Sequence, residues 1–391
     1  MPITPSRRQF ITTVAAGMGA AALSPYAIAA PAKTYNGPNV IIVRFGGGVR
    51  RHETILDKQN TYSPYLHELM NRGTFFPQMV IDEFSDINTS HGEGTLFTLT
   101  GRYEKFKDVG DKFLGARFEA GVPTVFEYLR KTYDIPEHQT LIVNGEDRTD
   151  EEFYTFSNHH LFGVEYRSNV LSLYRYKTFL LHRQIEEGVF EGDELEKKRT
   201  ELEELRALDY RVNMENRGQS PEIEAFWEDW RQFYGDSGFV NPRGDRLLTE
   251  LTVRAIEKLR PKLIMINYND PDYVHWGNPS HYTRGISIID AGIQRLVDTV
   301  EADPDYRDNT VFVIVPDCGR DSNRMAQVPF QHHFGSKTSH EIFALMFGPG
   351  IAQGVVVDDV VQQTSIAATV GGVMGFDAKF AEAPALEQVF A

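Results

Sequence analysis

Cysteine is nearly absent from this 391-residue chain: Cys318 is the only one. That excludes an intrachain disulfide framework and a metal cage built from thiolates alone. Basic residues are also in short supply, 40 Lys and Arg against 55 Asp and Glu, for a net charge of −15. So acidic a chain is repelled by nucleic acid and by anionic membrane surfaces, and neither is expected as a partner. An anionic small substrate is not excluded, because a bound metal sets the local field. Past the N-terminal segment no apolar run reaches the roughly 20 residues a membrane span requires, so no stable membrane insertion is expected. Internal repeats and long low-complexity linkers are missing too, which argues against solenoids and strings of small domains.

What stands at the N-terminus reads as a targeting segment. Ser6-Arg7-Arg8-Gln9-Phe10-Ile11 carries paired arginines, Ile11 to Leu23 is mildly apolar and rich in Ala and Gly, and Ala27-Ile28-Ala29 is a small-residue cleavage site, with Ala30-Pro31-Ala32 as an alternative. Charge, apolar run and small residues come in the order of a twin-arginine export signal. Residues 1–32 are therefore expected to be removed, with the twin-arginine export machinery as a partner. The mature chain, 33–391, is expected in the periplasm or elsewhere outside the cytoplasm.

From Asn39 onward strands alternate with helices. Val40–Val43, Thr74–Ile81, Thr140–Val143, Leu263–Ile266, Val311–Val315 and Ile342–Phe347 read as short buried strands, and Tyr65–Asn71 and Val125–Thr132 have helical spacing. This rhythm predicts an α/β fold whose central sheet is mostly parallel, with helices on both faces. Residues 151–235 interrupt it. They are rich in Glu, Arg, Tyr and Phe, and Glu194–Arg211 aligns Leu195, Leu202, Leu205 and Leu208 along one stripe. A helical insertion is expected there, either a solvated cap or a lid and partner surface.

Three stretches just outside apolar runs carry the chemistry. Asp270-Pro271-Asp272-Tyr273-Val274-His275 follows Leu263–Ile266, and Asp317-Cys318-Gly319-Arg320-Asp321 follows Val311–Val315. His332-His333-Phe334-Gly335, with His340 nearby, precedes Ile342–Phe347. Residues past the carboxyl ends of parallel strands gather at one edge, where ligands bind. Carboxylates and imidazoles collected there suit a divalent metal. Arg44, Arg50 and Arg51 are either an anion clamp or partners for surface acids.

In order along the chain these motifs resemble the alkaline phosphatase superfamily, particularly its sulfatase-like and phosphodiesterase-like branches. Val40–Arg50 is similar to the first strand and its metal-bearing turn. Ser90–Gly101 resembles the nucleophile segment ending in Thr-Gly, and Pro271–Gly277 the metal loop. Asp317-Cys318-Gly319 looks like an Asp-His-Gly segment, and His333-Phe334-Gly335 like the last His-Gly. The resemblance implies one or two divalent ions, zinc being the first choice. It assigns Asp272, His275 and His333 to one ion, with His332 or His340 as rivals for the last place, and Asp317 with Cys318 to the other. It also implies a nucleophile at Ser90 or Thr89, with His91 as a further candidate for nucleophile or ligand. Its expected activity is hydrolysis of an anionic phosphate or sulfate ester. The alternative is a catalytically degenerate relative that binds a ligand or a protein. The chain departs from the pattern where Gly46-Gly47-Gly48 offers no carboxylate and Cys318 stands in place of a histidine, so the second metal site is expected to be altered or absent.

Overall fold

Every strand expected from an apolar run is present, within a residue or two of its expected ends. The computed structural model describes residues 33–82, 89–104, 120–145, 161–207, 220–236, 244–275, 277–322, 330–332 and 336–391. Within Thr34–Ala391, one compact unit, the strands are β1 (Asn39–Phe45), β2 (Gly73–Val80), β3 (Thr140–Asn144), β4 (Asn169–Ser172), β5 (Leu263–Asn267), β6 (Thr310–Pro316), β7 (Glu341–Phe347) and the two-residue β8 (Val355–Val356) and β9 (Val361–Gln362). They form one sheet in the order β4-β3-β5-β1-β6-β7-β2-β8, with β9 also on β2. Pairing is parallel except where β7 runs antiparallel to β6 and to β2.

The helices are α1 (Arg51–Thr54), α2 (Pro64–Leu69), α3 (His91–Thr100), α4 (Val125–Thr132), α5 (Leu173–Glu186), α6 (Gly192–Ala207), α7 (Pro221–Tyr234), α8 (Asp245–Leu259), α9 (Pro279–Ala302), α10 (Lys337–His340) and α11 (Ser365–Met374). Side chains alternate across the sheet. Ile41, Val43 and Phe45 of β1 face a layer built from α8, α9, α2, α5 and α7, whereas Val40 and Ile42 face α3, α4 and α11. Both faces are buried, so the inner strands are apolar throughout rather than alternating.

The described part of 151–235 is not helix alone. Its β4 pairs with β3 at the sheet edge, and Trp227 and Trp230 of α7 are wholly buried in the α8–α9 layer. On α6, Leu202 is buried and Leu195 and Leu205 are half-buried, while Leu208 lies outside the described residues.

Asp290 of α9 shows how the helical layer is fastened. Its carboxylate accepts the Tyr65 and Leu66 backbone N–H groups at the start of α2, both at 2.9 Å. Burial pushes this carboxyl up to about 6 from an ordinary 3.8, against the pull of those two donors. The folded chain therefore holds a proton between about pH 4 and 6 that the unfolded chain has lost. Stability from this group is fully present below pH 4 and falls by about 1.4 kcal/mol per unit until pH 6. Asp290→Asn should flatten that part of the pH–stability curve measured by urea unfolding; an unchanged slope would contradict the assignment.

Candidate metal centre

The carboxyl ends of β1, β5 and β6, the start of α3 and the segment before α10 meet at one edge of the sheet. Asp270–Val274 forms a 3-10 turn after β5. Residues three apart eclipse each other in such a turn, so Asp272 and His275 fall on one side, with His275 Nε2 2.6 Å from Asp272 Oδ1. That is the structural meaning of the Asp-x-x-His spacing.

His91 is the first residue of α3 and approaches from the opposite layer. Its Nε2 lies 3.0 Å from Asp272 Oδ1 and its Nδ1 2.7 Å from Asp317 Oδ2. The approach depends on Gly94: a Cβ there would sit 2.0 Å from the Asp317 carbonyl oxygen. Glycine inside a helix costs roughly 1 kcal/mol relative to alanine, and here it lets α3 close onto β6. His332 completes the set, its Nε2 3.7 Å from Asp272 Oδ1 and 3.3 Å from His275 Nε2.

All three imidazoles are oriented in the same way. His91 Nδ1 meets the Asp317 carboxylate at 2.7 Å, His275 Nδ1 meets Gln331 Oε1 at 2.9 Å, and His332 Nδ1 meets the Thr89 carbonyl at 2.6 Å. Gln331 donates its amide to the His275 carbonyl at 3.1 Å, which fixes which end of the amide faces the ring. Each partner is an oxygen that accepts, so each ring places its proton on Nδ1 and turns its Nε2 lone pair inward. Three lone pairs directed at one carboxylate oxygen repel; besides the Arg320 guanidinium, which reaches that oxygen at 2.9 Å, either a ring proton or a cation among the rings relieves this. Protonating all three rings is a poor solution, because the His91 and His332 ring centres are only 4.2 Å apart. His91 Nε2, moreover, is buried with no hydrogen-bond partner. The donor set thus fits a divalent cation, held by His91, His275, His332 and Asp272, whose ligand atoms all lie within 4.8 Å of one another.

Without a cation the same carboxylates favour a proton on His91. Burial alone would depress the imidazole, but Asp272 and Asp317 override it and hold the ring well above its ordinary value, so a bound cation would displace that proton. Burial would raise Asp272, yet His91, His275 and His332 keep it well below the usual carboxylate range. Asp317 is held down likewise, His91 and Arg44 outweighing its burial. Cys318 is pushed up to about 11 by burial and by Asp317, so its thiol is neutral unless metal displaces the proton.

Asp317 and Cys318 come together with His91 in a second grouping, but Asp317 is already occupied by the protein. It accepts from Gly47 N at 3.3 Å, Gly48 N at 3.2 Å and Cys318 N at 2.8 Å besides His91. Gly47 and Gly48 have φ of +79° and +63°, the left-handed backbone that glycine adopts without strain. Where the resemblance leads one to expect a carboxylate, this turn supplies two N–H donors.

The remaining expected residues are placed as follows. Ser90 caps α3: its Oγ accepts from Glu93 N and donates to Glu93 Oε2 at 3.0 Å. The Thr89 hydroxyl is buried and donates to the His332 carbonyl. His340 lies outside both groupings, buried, with Nδ1 3.2 Å from the Ile81 carbonyl. His333 lies outside the described residues. Arg44 is buried, donates to Thr95 Oγ1 at 2.8 Å and stands 3.9 Å from Asp317 Oδ2. Arg50 pairs with Glu53 and Arg51 with Glu341, the acid-partner reading rather than a clamp. Sequence reading missed Arg320. It is wholly buried, bonds the carbonyls of Gly47, Gly48 and Phe330, and reaches Asp272 Oδ1 at 2.9 Å. An arginine amid Asp317-Cys318-Gly319 was the only available signal.

The fold and this site define a class: an α/β protein with a candidate cation site at the carboxyl edge of its sheet. Residues 220–377 match the Metalloenzyme superfamily model, which implies a divalent metal. No curated protein matches the chain. A mutant of the alkaline phosphatase PafA superposes with TM-score 0.55 at 10% identity, over 92% of this chain and all (100%) of the other. A putative sulfatase from Bacteroides thetaiotaomicron gives 0.51 at 12% identity, over 90% and 73% of the two chains. BT1596, a 2-O GAG sulfatase, gives 0.50 at 12% identity, over 90% and 72%. The chain shares the fold of these alkaline phosphatase and sulfatase structures.

Proposed function

We propose that the protein is an exported, metal-dependent hydrolase of phosphate or sulfate esters with one divalent cation, zinc, held by His91, Asp272, His275 and His332. The carrying observation is the convergence of three Nδ1-anchored imidazoles on one carboxylate. Imidazole and carboxylate donors suit zinc. A cation there supplies Lewis-acid polarisation of an ester oxygen and offsets the charge of the transferred group. Asp317, Gln331 and Thr89 act on the three histidines as orienting partners. In this reading Asp317 and Cys318 do not bind a second ion.

The Ser90 and Thr89 hydroxyls are engaged within the protein, so water rather than a side-chain hydroxyl attacks phosphorus or sulfur, and the alcohol leaves with a proton. Sulfatases and a phosphatase among the structural relatives support an anionic ester as substrate. The paired arginines at Arg7 and Arg8 support export and a periplasmic location; no described helix is long and apolar enough to cross a membrane.

Cell fractionation, metal analysis of the exported protein, and assays on p-nitrophenyl phosphate, its bis-ester and p-nitrophenyl sulfate test this together. The expected result is periplasmic protein with one ion per chain that cleaves at least one of the three. Metal-free protein that cleaves none would leave the binding-module alternative.

A further inference from the structure

The sheet edge beside the cation centre carries polar groups that the centre does not use. Asn144 ends β3, Asn267 ends β5, and Arg44 sits at the same level of β1. They are in register, Asn144 with Asn267 and Asn267 with Arg44. In a parallel sheet their side chains leave the same face, strand by strand, about 5 Å apart. That face belongs to the α3–α4 layer, where Ile142, Met265 and Ile42, two residues earlier on the same strands, are packed.

Arg44 is engaged by Thr95 and its neighbours. The Asn267 amide is not engaged, and Asn144 leaves its Nδ2 without a partner. Asn267 is 1% exposed, and neither its Oδ1 nor its Nδ2 has a hydrogen-bond partner. Asn144 is equally buried (1%), and its Nδ2 has none. Buried polar groups without partners are rare and destabilising. An apolar residue would serve packing better, and β6 has one at this level, Val315, paired with Arg44.

We propose that Asn267 and Asn144 form a subsite for a neutral, hydroxyl-bearing group, the alcohol portion of the ester held at the adjacent centre. This rests on the hydrolase reading above. A hydroxyl both donates and accepts, as the free amide of Asn267 requires; a phosphate or sulfate oxygen only accepts and would oppose Oδ1. The two sites are linked: Arg44, next to Asn267, donates to Thr95, whose hydroxyl donates to the His91 carbonyl at 2.7 Å. Asn267 lies two strands from β6, whose end carries Asp317, about 10 Å across the sheet.

The test compares glycerol 2-phosphate with phenyl phosphate, and glycerol 2-sulfate with phenyl sulfate, by calorimetry on the full zinc-loaded protein and its Asn267→Leu variant. The parent should bind the glycerol ester of at least one pair about tenfold more tightly than the phenyl ester. Asn267→Leu should erase that preference by weakening glycerol-ester binding about tenfold relative to phenyl-ester binding. Should N267L not fold, Asn144→Leu carries the same comparison. Equal affinities in the parent, binding of neither ester, or a preference that survives the substitution would overturn the subsite. A raised Tm with unchanged preference would mean that the amide holds only a buried water, and would overturn it too. Binding preference is read without turnover, so the hydrolase reading can fail while the subsite stands, and intact turnover without preference sinks the subsite alone.

Discussion

Asp272→Ala should abolish both metal uptake and ester hydrolysis. Asp272 Oδ1 is the one atom that all three imidazoles approach, at 2.6 Å from His275, 3.0 Å from His91 and 3.7 Å from His332. Arg320 reaches the same oxygen. Without the carboxylate, a cation would meet three neutral rings and a buried guanidinium, with no negative charge to offset the latter. A unit charge about 4 Å away is worth about 4 kcal/mol at an effective dielectric near 20, a factor of about 10³ in affinity. Metal content after gel filtration should therefore fall from one ion per chain to a trace, and hydrolysis of the p-nitrophenyl esters with it. Retention of the ion at parental affinity would remove Asp272 from the ligand set.

The second large effect is expected from Asp317→Asn, which preserves shape and changes one proton. The carboxylate holds His91 with Nδ1 protonated while taking the N–H groups of Gly47, Gly48 and Cys318. An asparagine satisfies the Gly48 and Cys318 donors with its carbonyl oxygen and turns its NH2 toward His91. Nδ1 must then accept, the ring proton moves to Nε2, and the inward lone pair is lost. Losing such an orienting partner typically costs 10- to 100-fold in metal affinity. Zinc titration should show that loss, and nitrogen NMR of the metal-free protein should show the tautomer change at His91. Unchanged affinity would mean that Asp317 does not set the ring. Loss of a second, weaker ion, with the first intact, would make Asp317 a ligand instead.

These two predictions concern residues of unequal visibility in the sequence. The strands were legible because strands buried on both faces are continuous apolar runs, and the ends of those runs placed Asp272, His275 and Asp317 at one edge. The roles of His91 and His332 were harder to read. Ser90-His91-Gly92-Glu93 has the Ser-x-x-Glu pattern of a capping box, which accounts for Ser90 as the N-cap of α3. That assignment leaves His91 at the head of α3, facing the centre. His332 and His333 are adjacent in sequence. What sets the orientation of His332 is its reciprocal pairing with Thr89, 243 residues away, a contact that no local pattern encodes. Arg320 and Gln331 escaped for the same reason: their partners, the Gly47 and Gly48 carbonyls and His275, come from other strands. Residues 151–235 read as helix because β4 is only four residues long, too short for its apolar run to stand out.

The central claim is that one cation is held by three imidazoles and a carboxylate, with Cys318 outside its coordination. X-ray absorption of the zinc-loaded protein, taken with its metal stoichiometry, addresses that claim directly. One ion per chain with only nitrogen and oxygen neighbours at about 2.0–2.2 Å is the predicted result. A sulfur neighbour at about 2.3 Å, or two ions per chain, would contradict it.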